Sequence, residues 1–183
     1  MMKKLAFAVV SISILILAAG GFFYWWQNQT DVRALNKTLP EGVRVVKSLV
    51  GGEYRIVNKI DGYEFKIPPK MTNLKEVKYY EEENSNGISL ESLDEDFLGF
   101  GVYKIDATNI NLDSWVDNWM SKFETFSWTK EKETIGNFEV IKLKENEHLA
   151  GFLDYFFKKG SKIYSISSLS EEPASYIISN GKW

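Results

Sequence analysis

The sequence predicts an α+β fold in which a mainly antiparallel sheet is covered by one long amphipathic helix plus a C-terminal helix. Three observations carry this prediction: an apolar stripe at helical spacing, alternating strand patterns on both sides of it, and an uncharged apolar run near the N-terminus. We expect that run to form a transmembrane helix ahead of the fold. The chain then divides into a membrane segment at 1–26, a tether at 27–42 and an extracytoplasmic domain at 43–183.

The helical stripe occupies residues 112–123. Its apolar positions recur at intervals of three and four residues, which places them on one side of a helix; they are Leu112, Trp115, Val116, Trp119, Met120 and Phe123. Asn111 or Asp113 can cap the start, where an acidic side chain also suits the helix dipole. Because so much aromatic area is unsuited to water, we expect this helix to lie on a flat sheet.

Strand patterns bounded by turn residues fill the remainder of the domain. The clearest runs from Tyr63 to Ile67, where apolar and charged side chains alternate before Pro68 ends the strand. Asp61-Gly62 predicts a two-residue hairpin turn. A last helix is expected at 174–178, since Pro173 suits its first turn. The expected strands are 43–49, 54–60, 63–67, 77–81, 88–93, 100–105, 128–134, 138–143, 153–157 and 162–168.

The N-terminal apolar run covers residues 5–26 without a charge. As a helix it would reach roughly 33 Å, which is enough to span a membrane. Lysines before the run predict a single-pass cell-membrane protein with a cytoplasmic N-terminus. The alternative is a signal peptide that is cleaved near Gly20. The residues assigned to the two flanks of the anchor are Lys3, Lys4, Tyr24, Trp25 and Trp26.

Composition narrows the possible chemistry. The chain has no cysteine, so disulfides, thiolate metal sites and thiol nucleophiles are excluded. Its one histidine, His148, excludes sites that need several histidines. A net charge of −3 argues against nucleic acid as a partner, because phosphate contacts need a basic surface.

Three segments resemble a known family. They are a Gly-Tyr-x-Phe-x-Ile-Pro strand at 62–68, an Ile-Gly-Asn-Phe turn at 135–138 and a Lys-Gly-x-Lys-Ile-Tyr hairpin at 159–164. Together with the single Trp-rich helix, they resemble the Mog1/PsbP-like superfamily of α/β/α sandwich domains over most of residues 50–180. The likeness is greatest to uncharacterised, membrane-tethered bacterial exported proteins. It implies the sandwich fold and an accessory or binding role, and it carries over no functional residue.

Few residues in the sequence are candidates for a catalytic, metal-binding or phosphate-binding site. His148 lies in a polar stretch and is interpreted as a surface residue, since no nucleophile or acid is placed beside it by the sequence. The acidic runs at 81–83 and 94–96 lack the spacing of a calcium loop and are interpreted as solvated charges. Gly99 and Gly101 resemble part of a phosphate loop but are interpreted as strand glycines that can line a groove.

These observations predict a non-catalytic, membrane-tethered extracytoplasmic module that binds a protein or envelope component. No catalytic residue, cofactor or metal is assigned. Two alternatives stay open: a carrier of a solute or metal, and an enzyme whose site is assembled from scattered residues such as His148 and the acidic runs.

Overall fold

The computed structural model describes residues 15–23, 25, 30–48, 51–71, 73–93, 97–104, 110–123, 127–146 and 151–183, without the side chains of Phe97 and Lys104. In these ranges the chain forms ten strands in two antiparallel sheets. The predicted sites that lie outside the described residues are Lys3, Lys4, Tyr24, Trp26, His148 and the acidic run 94–96.

The smaller sheet has three strands in the order β1-β2-β3, and these are β1 (Val43–Lys47), β2 (Tyr54–Asn58) and β3 (Tyr63–Lys66). Asn58 pairs with Tyr63, so the turn between β2 and β3 has four residues instead of the expected two. The cause is the Asn58 side chain, whose Oδ1 accepts the backbone N–H groups of Ile60 and Asp61 at 2.9 and 3.0 Å. Such a local bond favours a wider turn.

The larger sheet has seven strands in the order β4-β5-β6-β10-β9-β8-β7. Each of these strands was expected near its observed position, with ends that differ by a few residues. Short turns such as Gly136-Asn137, which joins the paired residues Ile135 and Phe138, set the register. The bounds are β4 (Leu74–Glu81), β5 (Ser85–Ser92), β6 (Phe97–Lys104), β7 (Trp128–Ile135), β8 (Phe138–Glu145), β9 (Leu153–Lys159) and β10 (Lys162–Ser168).

One side of the larger sheet, here called the core face, is buried beneath the smaller sheet and the C-terminal helix (Glu171–Asn180). Aromatic rings dominate the contact. Phe157 lies 5.1 Å from Tyr164 and 5.0 Å from Trp183 between ring centroids, and Phe100 lies 5.0 Å from Phe65. Most of the buried apolar side chains belong to this one cluster, so the core face supplies most of the hydrophobic stabilisation.

The opposite side, the helix face, carries the central helix (Leu112–Met120). The predicted α/β/α sandwich with one long covering helix is wrong. The helix has nine residues, about 14 Å at 1.5 Å per residue, whereas seven strands at about 4.8 Å span more than twice that distance. The expected helical residue Phe123 lies beyond the helix end, because Lys122 and Phe123 bond back to Trp119 and Met120 in a tighter turn.

The membrane predictions are also contradicted. In the ranges that the structure describes, no helix is long and apolar enough to cross a membrane. The predicted single-pass location, the extracytoplasmic placement and the membrane attachment through an N-terminal helix are therefore not supported. Trp25, the one described member of the assigned flanks, is exposed.

Residues 30–36, in the segment interpreted as a tether, form a helix that packs on the smaller sheet. Leu35 is buried in the main core cluster. The Asn36 carboxamide bonds to β1 as the backbone of a neighbouring strand would. Its Oδ1 accepts the Val45 N–H at 2.7 Å, and its Nδ2 donates to the Val45 carbonyl at 2.9 Å. These contacts connect the segment to β1 and occupy one edge of the smaller sheet.

Candidate functional site

An aromatic cluster lies where the central helix meets the helix face. Trp115 packs 4.9 Å from Tyr103 and 5.9 Å from Phe156, and Trp119 packs 5.0 Å from Phe156 and 6.0 Å from Trp128 between ring centroids. Val116 is the buried residue of the helix, whereas both of its tryptophans are half-buried. The tryptophans therefore contribute to packing and also present part of their rings to solvent.

The cluster continues into an exposed patch at one end of the sheet, which we call the apolar end. Phe152 directly precedes Leu153, and Leu169 directly follows Ser168, the β10 partner of Leu153. The patch consists of Phe123, Phe152 and Leu169, which are 38%, 38% and 44% exposed. Phe123 connects it to the aromatic cluster through Trp119, at 4.7 Å between ring centroids. Exposed apolar residues that lie together commonly mark an interaction surface.

Gly99 and Gly101 of β6 lie near the part of the helix face that the central helix does not cover. Gly101 pairs with Gly87 on one side and with Ser165 on the other. A Cβ at Gly87 would lie 2.0 Å from the Cζ of Tyr80, and a Cβ at Gly101 would lie 2.5 Å from the Ser165 Oγ. Gly87 and Gly101 therefore make room for neighbouring side chains of the chain itself, which supports the interpretation of Gly101 as a strand glycine.

Asp154 is a buried carboxyl on the helix face, beside the aromatic cluster. Its carboxylate accepts a hydrogen bond from the Ser167 hydroxyl on the neighbouring strand. Burial raises the pKa of Asp154, the Ser167 bond opposes that rise, and nearby Glu145 adds to it. A carboxyl retained in such a place lowers the stability of the folded state when it ionises.

A second polar group, centred on Asp61, joins the two sheets. The Asp61 carboxylate accepts bonds from the amides of Asn58 at 2.8 Å and Asn86 at 2.7 Å, and its backbone carbonyl accepts one from the Lys162 ammonium. Asp61, Asn58 and Asn86 are buried. Because these partners come from β2, β5 and β10, the group fixes the position of the smaller sheet, and we interpret it as structural.

A groove of about 540 Å³ opens at the start of the central helix. It lies near the β7–β8 and β9–β10 turns, at the opposite end of the strands from the apolar end. Lys158 donates to the Ile110 carbonyl at 2.8 Å and so holds the start of the helix on the sheet. The polar side chains along this groove are Asn111, Asp113, Asn137, Glu139 and Lys158.

Three tyrosine phenols have pKa values that are shifted further above neutrality. Burial raises the pKa of Tyr79, Tyr80 and Tyr155 to about 12. Within the described ranges, no three acidic, histidine or cysteine side chains come together as a metal site. The acidic run at 81–83 ends β4 and begins the following turn, and its three side chains are exposed.

Comparison of the chain with models of known protein families and with curated proteins finds no match. The resemblance to the Mog1/PsbP-like superfamily therefore stays a prediction from three short motifs. Sequence reasoning identified the aromatic stripe and the glycines, but it missed the apolar end. No local signal marks that patch, because its members come from the ends of separate strands and meet only through the register of the sheet.

Proposed function

We propose that this chain is a non-catalytic binding module that docks a partner protein on its apolar end. The observation that carries the proposal is the exposure of Phe123, Phe152 and Leu169 beside a half-buried tryptophan cluster. Protein interfaces are typically built in this way, with apolar and aromatic side chains at the centre and charged side chains around them.

A charged pair lies beside the tryptophan cluster. Lys130, two residues after Trp128, bonds to Asp117 of the central helix at 2.5 Å. An apolar centre with a polar border suits a protein surface better than a small solute, which usually occupies a concave pocket.

The proposal of a non-catalytic role has a separate support. A general acid or base works best with a pKa near the operating pH. Burial raises the pKa of Tyr79, Tyr80 and Tyr155 to about 12, so these three phenols are poorly suited to proton transfer near neutral pH.

The test uses a matched pair of substitutions in the full chain. Leu169→Asp places a charge in the apolar end, whereas Ile60→Asp does so in the β2–β3 turn, beside Lys162 at the opposite end of β10. The two side chains are similarly exposed, at 44% and 49%. Both proteins would be used as bait in extracts of cells that produce the chain, with quantitative mass spectrometry of what they capture.

We expect a partner that is captured by the wild-type and Ile60→Asp proteins and lost from the Leu169→Asp protein, while both variants melt within a few degrees of wild type. The proposal is wrong if the two substitutions change capture equally, or if no captured protein depends on Leu169.

The groove favours one second candidate function, the carrying of a small polar solute. Its volume of about 540 Å³ falls within the range of roughly 300–1,000 Å³ that is usual for small-molecule sites. A thermal-shift screen of polar metabolites tests it. A ligand that stabilises the wild type but not a Glu139→Gln, Asn137→Ala variant supports this function, and equal stabilisation of both proteins argues against it.

A further inference from the structure

The two sheets have four edges, and three of them carry a device that discourages a further strand. The Asn36 carboxamide occupies the edge of β1 at Val45. Lys182 exchanges two backbone hydrogen bonds with Glu64 of β3, at 2.7 and 2.9 Å. A register irregularity near Leu74 interrupts β4. Natural sheets commonly close or distort their edges in these ways to avoid unwanted pairing.

The fourth edge, β7, carries charged side chains, but among the described residues it has neither a contact that occupies its edge nor a register irregularity. All eight of its residues pair with β8 without a shift in register. No described strand runs along its other side. Most of its side chains are exposed. A regular, exposed edge of this length is a template for an added strand.

The hydrogen-bond pattern shows which backbone groups point outward. The Ser127 carbonyl accepts the Asn146 N–H at 3.0 Å, so odd-numbered residues of β7 bond to β8. In an antiparallel pair the alternate residues direct their N–H and C=O groups to the other side. Lys130, Lys132 and Thr134 therefore present their backbone groups to the outer edge.

Charge on β7 selects what can pair there. Lys130 and Lys132 lie on the helix face, where Asp113 bonds to both, at 2.6 and 2.9 Å. Glu131 and Glu133 lie on the other side and are exposed. Two copies of β7 paired antiparallel about their centres would oppose glutamate to glutamate and lysine to lysine, which is unfavourable. The pattern disfavours self-pairing and favours a strand with basic residues opposite the two glutamates.

We propose that the outer edge of β7 accepts an extended segment of a partner protein as an eighth strand, with arginine or lysine at alternate positions facing Glu131 and Glu133. Backbone hydrogen bonds would supply affinity, and the two glutamates would supply selectivity. This inference rests on the outer edge of β7 and does not depend on docking at the apolar end.

The experiment uses two eight-residue peptides, one alternating arginine with threonine and one alternating glutamate with threonine. They are titrated into the ¹⁵N-labelled full chain and into two variants at one position. Lys132→Pro removes an outward N–H, whereas Lys132→Thr keeps it and removes the same charge. Proline at an outward-facing edge position removes no bond to β8, so both variants should fold.

We expect the arginine peptide to shift the amide signals of Lys130, Lys132 and Thr134 in the wild type. Lys132→Pro should weaken its binding by about tenfold and Lys132→Thr by less than about threefold, since only the first removes a backbone hydrogen bond. Leu169→Asp should leave the binding of the arginine peptide unchanged. The result therefore tests β7 independently of the proposed docking at the apolar end.

Three outcomes overturn the inference: the glutamate peptide binds as tightly as the arginine peptide, the signals shift elsewhere than on β7, or the two Lys132 variants bind equally. If Lys132→Pro fails to fold, Thr134→Pro, which also removes an outward N–H, takes its place against Thr134→Ser with the same criteria.

Discussion

The two faces of the seven-stranded sheet are built from the same strands but are covered to different extents. On the core face, rings such as Phe100 and Phe157 are fully buried beneath a second sheet and a helix. On the helix face, nine residues of helix pack over β8 and β9, and Trp119 stays half-buried. The comparison indicates that the core face supplies most of the stability of the fold, whereas the helix face leaves apolar surface exposed for binding.

The largest expected effect comes from emptying the core face. Phe157→Ala removes a ring that contacts Tyr164 and Trp183, and the rigid sheet above it cannot close the cavity. The free energy of unfolding should fall by about 3–5 kcal/mol, measured by urea denaturation. A loss below about 1 kcal/mol would mean that the core face is not the main source of stability.

A smaller loss is expected on the helix face. Trp119→Ala removes a half-buried ring, so the free energy of unfolding should fall by about 1–2 kcal/mol, less than for full burial of an aromatic side chain. The control is Asp117→Ala in the same helix, which breaks an exposed ion pair with Lys130 and should cost about 0.5 kcal/mol or less. The contrast between the faces disappears if Trp119→Ala costs as much as Phe157→Ala.

The smallest effect should come from Asp154, and it should depend on pH. Burial raises the folded-state pKa of this carboxyl, so its ionisation disfavours the folded state. The wild type should lose stability from this group as the pH rises from the unfolded-state pKa, about 3.9, through the higher folded-state value. Asp154→Asn keeps an acceptor for Ser167 and removes the ionisation.

The difference in melting temperature between Asp154→Asn and the wild type should therefore increase in favour of the variant between pH 3 and pH 7. The difference isolates Asp154, because other carboxyls with shifted pKa values are common to both proteins. A difference that is constant with pH, or that favours the wild type at pH 7, contradicts this account.

The strands could be predicted because their signal is local. Alternation from Tyr63 to Ile67 and turns such as Gly136-Asn137 indicate where a strand lies, although the ends of the strands differ from the expected ones by a few residues. The central helix was predicted too long, because Phe123 continues the helical spacing while the backbone has already turned after Met120. Periodicity reports which residues share a face and does not report where the last hydrogen bond is made.

Two further errors have a similar origin. The membrane prediction rested on the count of uncharged residues in the N-terminal run, and residues 5–14 of that run lie outside the described residues. The apolar end was missed because Phe152 and Leu169 adjoin different strands, β9 and β10. Their proximity depends on the strand order, in which β10 lies between β6 and β9, and a single sequence without internal repeats does not reveal that order.

The bond between Glu64 and Lys182 also bears on how the protein is made. These residues are 118 positions apart, so a ribosome that has released the smaller sheet must add most of the chain before Lys182 and Trp183 can reach it. Until then, apolar side chains of β3 and β6 lack part of their covering. Folding dominated by such distant contacts is slow, so we expect the nascent chain to be a client of chaperones that hold exposed apolar strands until Trp183 has been added.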